Sequence, residues 1–210
     1  MSPIGSVPGQ EPGNKGQKYP AEPLTTDEVS AIIAGCSAKA PTGIRNRAML
    51  TLLYRSGLRV SEVLALRPSD VNLDAHTVRV LHGKGDKATT RGFHPSATDA
   101  LARWLDMRKG VAGRGPLFCT LAGRPLQAQY VRLMLHRLAA DAGVEKRVHP
   151  HGLRHTFAWE LEQAGVPVSV ISALLGHSSI AVTARYLNHL TNHQAVSALE
   201  AVDLPSLETS

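Results

Sequence analysis

The sequence has few of the residues that stabilise small secreted proteins or cross membranes. Its two cysteines, Cys36 and Cys119, are far apart and form no C-x-x-C pair, which argues against a disulfide framework or a cysteine zinc site. No apolar run approaches the roughly 20 residues that span a bilayer, and the N-terminus lacks the apolar core of a secretion signal. We therefore expect a cytoplasmic protein with reduced thiols and no membrane partner.

What is present is typical of a folded domain. The chain has 210 residues, of which 43% are hydrophobic and 19% charged, so wholesale disorder is not expected. Its length suits one sizeable core. The formal charge of +6 favours a polyanionic partner, because Lys and Arg attract phosphates and release their counterions. Charge alone does not decide between nucleic acid and other partners.

Apolar periodicity divides the chain into a tail and a folded region. Residues 1–23 are rich in Pro, Gly, Gln and Asn, a composition that buries too little surface to fold. Thr25 and Glu28 then have the spacing of a capping box that opens a helix, with Leu24 and Val29 as its hydrophobic staple. A second helix is predicted over 44–56, ended by Gly57 in a left-handed conformation. Ser61 and Glu62 open a third helix.

The middle of the chain changes from helical to strand periodicity. Residues 77–81 alternate, and the glycine-rich segment 83–87 precedes a further polar stretch, which predicts an antiparallel hairpin. Helical patterns return in five segments, four of them followed by a terminating glycine. These helices are 97–109, 127–142, 150–164, 167–175 and 179–188, and the glycines are Gly110, Gly143, Gly165 and Gly176. The predicted fold class is mainly α with a small antiparallel β-sheet, that is, α+β.

Three polar clusters interrupt the helices. In the first, Arg59 follows a glycine turn at the start of a helix, where backbone N–H groups and the helix dipole favour an anion. Its guanidinium could clamp a phosphate through two hydrogen bonds. Arg59 taken alone favours the alternative, a surface ion pair with Glu62.

The second cluster contains His149, His151, Arg154 and His155. On a helix, positions 151, 154 and 155 share one face. Zinc binding is an alternative for the histidines, but the cation Arg154 would repel a metal and the carboxylate of an H-E-x-x-H site is missing. An anion suits this face better. For His155 alone, a buried histidine satisfied by a hydrogen bond is the preferred interpretation.

The third cluster is the segment 174–178, followed by Tyr186. His177 lies just beyond the glycine stop at Gly176, where an exposed ring could reach a ligand. A tyrosine on an amphipathic helix usually packs in the core, so Tyr186 stands out only through its neighbours.

Together these motifs resemble the tyrosine recombinase family, which includes phage integrases. The resemblance covers residues 24–190 and rests on five motifs that occur in the family's order. They are 57–62 (GLRVSE), 83–87 (GKGDK), 151–155 (HGLRH), 174–178 (LLGHS) and Tyr186. The resemblance implies a tyrosine recombinase catalytic-domain fold and a site-specific recombinase or integrase that cleaves and rejoins double-stranded DNA.

The resemblance also implies a role for each candidate residue. Arg59, Arg154 and His177 would hold the non-bridging oxygens of the scissile phosphate as charge develops on them. His151 would move a proton or orient the phosphate. Lys84 would protonate the departing 5′ oxygen. In this scheme the arginines, lysine and histidines supply the positive charge that a metal would otherwise bring.

Tyr186 would attack the phosphorus, and the resulting 3′-phosphotyrosine bond would store the energy for resealing. The reaction would need no metal, ATP or other cofactor. Family members usually carry a core-binding domain ahead of this region, whereas here only the tail precedes it; a natural short form, a truncated product and a cloned fragment all fit. Segment 191–210 is expected to form a C-terminal helix and tail, packed on its own domain or exchanged between protomers. A homotetramer on DNA is expected, with a monomer in solution as the free state.

Three other functions compete with recombination. A type IB topoisomerase shares the chemistry, but the short LGHS motif ahead of Tyr186 resembles the recombinase version. A catalytically idle DNA-binding protein would not need all six candidate residues. A metal-dependent hydrolase built on His149, His151 and His155 is disfavoured by the charge of Arg154.

Overall fold

The computed structural model describes residues 22–82, 87–110 and 115–176. This part of the chain contains helices α1 (Thr26–Ala34), α2 (Pro41–Ser56), α3 (Val60–Ala65), α4 (Thr98–Lys109), α5 (Ala128–Asp141), α6 (Pro150–Gln163) and α7 (Val168–Leu175), and strands β1 (Val71–Asn72), β2 (Thr77–His82) and β3 (Lys87–Gly92). The predicted fold class, mainly α with a small antiparallel sheet, is confirmed. The predicted helix 179–188 and the segment 191–210 lie outside the described residues.

Helix α1 begins where the capping box predicts. The Thr25 hydroxyl accepts a hydrogen bond from the Glu28 amide at 3.1 Å, and the Glu28 carboxylate accepts one from the Thr25 amide at 2.7 Å. Leu24 and Val29 are both buried, as a hydrophobic staple requires. The Leu24 amide also donates to the Thr156 hydroxyl at 3.0 Å. The start of α1 is therefore attached to α6.

Helix α2 is the centre of the core. It packs against α1, α3, α4 and α6, so it is buried on several sides rather than along one stripe. It begins at Pro41, three residues before the predicted start, because proline fits the first turn of a helix, where its missing N–H costs nothing. Its fully buried side chains include Met49, Leu50, Leu52 and Leu53.

The sheet has the order β1-β2-β3, with both pairs antiparallel. On β2, Val78 and Val80 are buried whereas Arg79 and Leu81 are exposed, so one face packs on the protein and the other meets solvent. The inner face contacts α3. The register pairs His82 with Lys87 at the end of the hairpin, which confirms the hairpin predicted from alternation.

The predicted terminating glycines behave in two ways. Gly57, Gly143, Gly165 and Gly176 have φ between +61° and +77°, the left-handed conformation that glycine adopts without steric cost. Gly110 also ends its helix but has φ −86°, so that position does not require glycine. There the last turn tightens, and the Gly110 amide donates to the Met107 carbonyl at 3.3 Å. Such i to i−3 bonds are an ordinary way to satisfy a helix end.

The predicted state of the cysteines is also confirmed, since Cys36 and Cys119 are free thiols within the core. Across residues 22–82, 87–110 and 115–176, every helix is too short or too polar to cross a bilayer.

Candidate active site

A tight turn between α2 and α3 brings Arg59, in the first predicted motif, to the surface. Gly57 ends α2 with φ +61°. A Cβ atom at this position would lie 2.5 Å from Leu175 Cδ2 and 2.9 Å from Phe157 Cδ1, so both the backbone and the packing require glycine. The turn therefore places the end of α2 directly against α6 and α7, and the chain emerges from it at Arg59.

Arg59 is the N-cap residue of α3 and is held there by Glu62. The Glu62 carboxylate accepts the Arg59 backbone N–H at 2.7 Å and its Nη1 at 2.9 Å. The Arg59 side chain is 50% exposed. The predicted surface ion pair between Arg59 and Glu62 is thus present, but on the Arg59 guanidinium it occupies only Nη1. Arg59 is both oriented by Glu62 and accessible to an anion from solvent.

Arg154, in contrast, is buried and joins three segments. From α6 its Nη1 donates to the Gly57 carbonyl at 2.5 Å and its Nη2 to the Leu175 carbonyl at 2.9 Å. These carbonyls lie at the C-terminal ends of α2 and α7, where the helix dipole is negative, so they stabilise a cation with only 3% of its surface exposed. Each carbonyl lies two residues before a predicted phosphate ligand, Arg59 or His177. Arg154 therefore ties the segments carrying the three ligands together.

The histidines of the second motif form a column at the start of α6. The His149 and His151 rings are stacked, with centroids 6.3 Å apart, and the His151 ring meets the His155 ring edge-on at 4.6 Å. His155 is half-buried, whereas a buried histidine is the interpretation preferred from the sequence. The predicted shared face of positions 151, 154 and 155 is consistent with this contact and with the influence of Arg154 on His151.

Burial, reinforced by nearby positive charge, lowers the pKa of His149 and His151. Partial burial lowers the pKa of His151, and Arg154, His149 and Arg59 lower it further. Burial and the charge of Arg147 lower the pKa of His149. Because the charges of both arginines reach His151, the structure brings Arg59, His151 and Arg154 into one electrostatic neighbourhood. That neighbourhood suits an anion, and a neutral imidazole in it can accept or relay a proton.

The three histidines do not converge as metal ligands do. His149 Nδ1 accepts a hydrogen bond from the Gly152 amide at 3.0 Å, so that nitrogen is engaged. Among the residues that the structure describes, no three His, Cys, Asp or Glu side chains are grouped to hold a metal ion.

Arg91, on β3, makes a contact that the sequence does not predict. Its Nη1 donates to the Ala173 carbonyl at 2.7 Å, and its guanidinium lies against Gly176, where a Cβ atom would overlap it. Arg91 thus attaches the hairpin to the end of α7. An arginine in a polar strand gives no sequence signal of this kind, because its partner is 82 residues away.

The other three predicted site residues lie outside the described residues. Lys84 falls in 83–86, between the paired ends of β2 and β3. His177 follows Gly176, the last residue described, and Tyr186 lies further along. The structure therefore brings together Arg59, His151 and Arg154, and the roles of all six residues remain predictions.

Two arginines and a histidine thus lie in one region of this helical scaffold. The chain belongs to the phage integrase family, whose model matches residues 22–193. Among curated proteins it is 40% identical over 167 residues to tyrosine recombinase XerD of Ralstonia nicotianae, covering 78% of this chain and 54% of that protein. It is 37% identical over 187 residues to tyrosine recombinase XerD of Lacticaseibacillus casei, covering 87% and 63%.

Solved structures give the same family. The XerA recombinase crystal structure matches with a TM-score of 0.77 and 29% identity, over 94% of this chain and 70% of that one. The XerH site-specific recombinase, in a post-cleavage complex with its palindromic difH substrate, matches with a TM-score of 0.70 and 27% identity, over 84% and 52%. The fold is that of a tyrosine recombinase catalytic domain. The chain spans 54% to 63% of the first two curated relatives.

Proposed function

We propose that this chain is the catalytic domain of a site-specific DNA recombinase or integrase that cleaves and rejoins DNA through a 3′-phosphotyrosine intermediate. The observation that carries the proposal is the pair of hydrogen bonds from Arg154 to the Gly57 and Leu175 carbonyls. These bonds join the three segments whose motifs resemble the family. The relatives reported above are all recombinases, which supports the proposal further.

In the proposed reaction the Tyr186 oxygen attacks the scissile phosphorus, and the bond from phosphorus to the 5′ oxygen breaks. Lys84 gives its proton to that departing oxygen. Arg59, Arg154 and His177 hold the non-bridging oxygens, where negative charge grows in the transition state. His151, whose pKa is lowered by burial and by nearby positive charge, takes or relays the tyrosine proton. Attack by another 5′ hydroxyl then releases Tyr186 and reseals the strand.

The proposed substrate is double-stranded DNA. The XerH structure is a complex with its difH substrate, and the net charge of +6 on this chain favours binding to the phosphate backbone. We further propose a homotetramer on DNA, a monomer in solution and a cytoplasmic location. The chemistry assigned to the six residues balances without metal, nucleotide or other cofactor.

The test is to trap the covalent intermediate. The protein is incubated with DNA that carries a nick beside the cleavage site, so that the released fragment diffuses away, and adducts are separated by denaturing electrophoresis. The unmutated protein should form a covalent adduct, and Tyr186→Phe should form none while still binding DNA, because it loses one oxygen and almost no volume.

Excess EDTA provides the control for metal dependence. Adduct formation should continue in EDTA, since the proposed site uses no metal; loss of the adduct, with recovery on adding zinc, would favour the histidine metal site instead. Persistence of the adduct in Tyr186→Phe would mean that another residue attacks. DNA binding without any adduct would favour the catalytically idle DNA-binding protein.

A further inference from the structure

The N-terminus of α6 is capped by an imidazole. His149 is the N-cap residue, and its Nδ1 accepts a hydrogen bond from the Gly152 amide at 3.0 Å. That amide also lies 2.8 Å from the His149 carbonyl oxygen, so the ring shares it with the backbone. A ring nitrogen accepts a hydrogen bond only when it carries no proton. The cap therefore exists only while His149 is neutral, with its proton on Nε2.

The capped turn carries the candidate catalytic side chains. His151 is the second residue of α6 and Arg154 the fifth. The His149 ring stacks on the His151 ring at an interplanar angle of 13°. His149 thus touches both the end of the helix and the first candidate catalytic residue on it. A movement of this turn would displace His151 directly and change the approach of Arg154 to the Gly57 and Leu175 carbonyls.

The charged and titratable groups that face His149 disfavour its protonation. Arg147 acts on it from the preceding loop, and His151 stacks on it from α6. Arg154 and Arg59 add positive charge around His151. A proton on His149 would also meet the positive end of the α6 dipole. Protonation would remove the acceptor of the Gly152 amide and add repulsion from these neighbours. The protonated His149 ring is therefore less stable in the capping position than the neutral ring.

We propose that His149 is a positioning residue, whose neutral ring caps α6 and holds His151 and Arg154 for DNA cleavage, and whose protonation in mild acid releases the cap and stops cleavage. The inference rests on the proposed function for its effect on cleavage. The cap itself is independent of that function.

The pKa of His149 is lowered in the folded protein, first by burial and then by Arg147. A histidine with a lowered folded pKa contributes stability that is complete above its unfolded value of about 6.5 and is lost as the pH falls through the folded value. Release of the cap should therefore occur below pH 6.5.

The matched variants are His149→Ser and His149→Ala. Serine is a good N-cap residue that does not titrate in this range, whereas alanine provides no cap. Two quantities are measured between pH 5 and 8: the protection factor of the Gly152 amide in hydrogen exchange, and the single-turnover rate of cleavage of nicked DNA. In the unmutated protein both should fall together below pH 6.5. In His149→Ala the Gly152 protection should be about fivefold lower than in the unmutated protein at pH 7–8, the usual effect of losing an N-cap, and the difference should close in acid, where the unmutated protein also loses its cap.

His149→Ser should keep Gly152 protection as the pH falls and cleave faster than the unmutated protein at pH 5.5. Whatever acid limb remains in His149→Ser reports His151, which is unchanged. The same pH dependence of both quantities in His149→Ser and the unmutated protein would overturn the proposal. His149→Asn, which also caps without titrating here, replaces the serine variant if that protein does not fold.

The two readouts separate this proposal from the proposed function. Hydrogen exchange needs no DNA and can be measured on Tyr186→Phe. If neither the unmutated protein nor any His149 variant forms a covalent adduct with DNA, the proposed function fails. The hydrogen-exchange protection of the Gly152 amide still tests the cap in that case. If adducts form but Gly152 protection in the unmutated protein does not change with pH, the cap proposal alone is refuted.

Discussion

Replacing Gly57 by alanine tests whether the turn beside the candidate active site is as constrained as the structure indicates. The residue has φ +61°, and a Cβ atom there would lie 2.5 Å from Leu175 Cδ2 and 2.9 Å from Phe157 Cδ1. Real Cβ atoms do not approach other atoms so closely, so the Leu175 and Phe157 side chains, or the helices that carry them, must shift. Gly143 is a matched control, because its φ is +69° and nothing lies within 4 Å of its Cβ position.

The two alanine variants share a backbone cost, and Gly57→Ala has a packing cost in addition. The left-handed conformation costs a residue with a Cβ about 1–2 kcal/mol, partly offset in both by the reduced entropy of the unfolded chain. Gly57→Ala adds the cost of overpacking a dense core, roughly 1–3 kcal/mol. The unfolding free energy of Gly57→Ala should therefore be lower than that of Gly143→Ala by about 1–3 kcal/mol. At ~2–4 °C per kcal/mol, Tm should differ by about 2–12 °C.

Circular dichroism at the helix band, followed through thermal and urea unfolding, measures this difference. Gly57→Ala should also slow DNA cleavage, since the Gly57 carbonyl accepts a hydrogen bond from Arg154, whereas Gly143→Ala should not. Equal stability of the two variants would refute the packing argument, because the backbone cost is common to both.

Two further predictions concern proton transfer and acid stability. Lys84→Ala should slow cleavage of ordinary DNA by roughly 10²–10⁴-fold, the usual contribution of a general acid. It should cleave DNA with a 5′-bridging sulfur at nearly the unmutated rate, because a thiolate leaves without a proton. Arg59→Ala should gain no comparable rescue, and equal slowness of Lys84→Ala on both substrates would make His151 the next candidate acid. The unfolding free energy should decrease as the pH falls below about 6.5, because His149 and His151 have lowered pKa values in the folded protein; a urea midpoint that does not change from pH 7.5 to 5.5 would contradict this.

The features that sequence predicted well are those that neighbouring residues determine. The capping box of Thr25 and Glu28 needs only a spacing of three, and both of its hydrogen bonds are present. The stop at Gly57 needs only a glycine, because other residues avoid positive φ. The predicted start of α2 is three residues late because it rests on apolar periodicity, whereas Pro41 occupies the first turn of the helix.

The parts that sequence missed depend on distant partners. Arg154 could be placed on a helical face by counting, but its two carbonyl acceptors are 97 and 21 residues away, and backbone acceptors have no sequence signature. Arg91 is a case of the same kind. The cap by His149 could have been found, because the residue before a proline at the first helical position is the N-cap. The spacing of His149, His151 and His155 instead suggests metal ligands.

Replacing each of the two candidate phosphate-binding arginines by lysine should affect stability differently but should slow cleavage in both cases. Arg154 bridges the Gly57 and Leu175 carbonyls with two different nitrogens, a geometry that the single nitrogen of lysine cannot reproduce. Arg154→Lys should leave at least one buried carbonyl without this donor, at a cost of about 1–3 kcal/mol.

Arg59 is half exposed and forms a surface ion pair with Glu62. Its replacement by lysine should change the unfolding free energy by no more than ~0.5 kcal/mol. Both variants keep the charge but lose the planar fork, so both should slow cleavage of nicked DNA. Urea unfolding and single-turnover cleavage, measured on the same preparations, separate the two effects. If Arg154→Lys is as stable as the unmutated protein, the carbonyl bridges do not hold α2, α6 and α7 together. If Arg59→Lys cleaves at the unmutated rate, the fork of Arg59 does not clamp the phosphate.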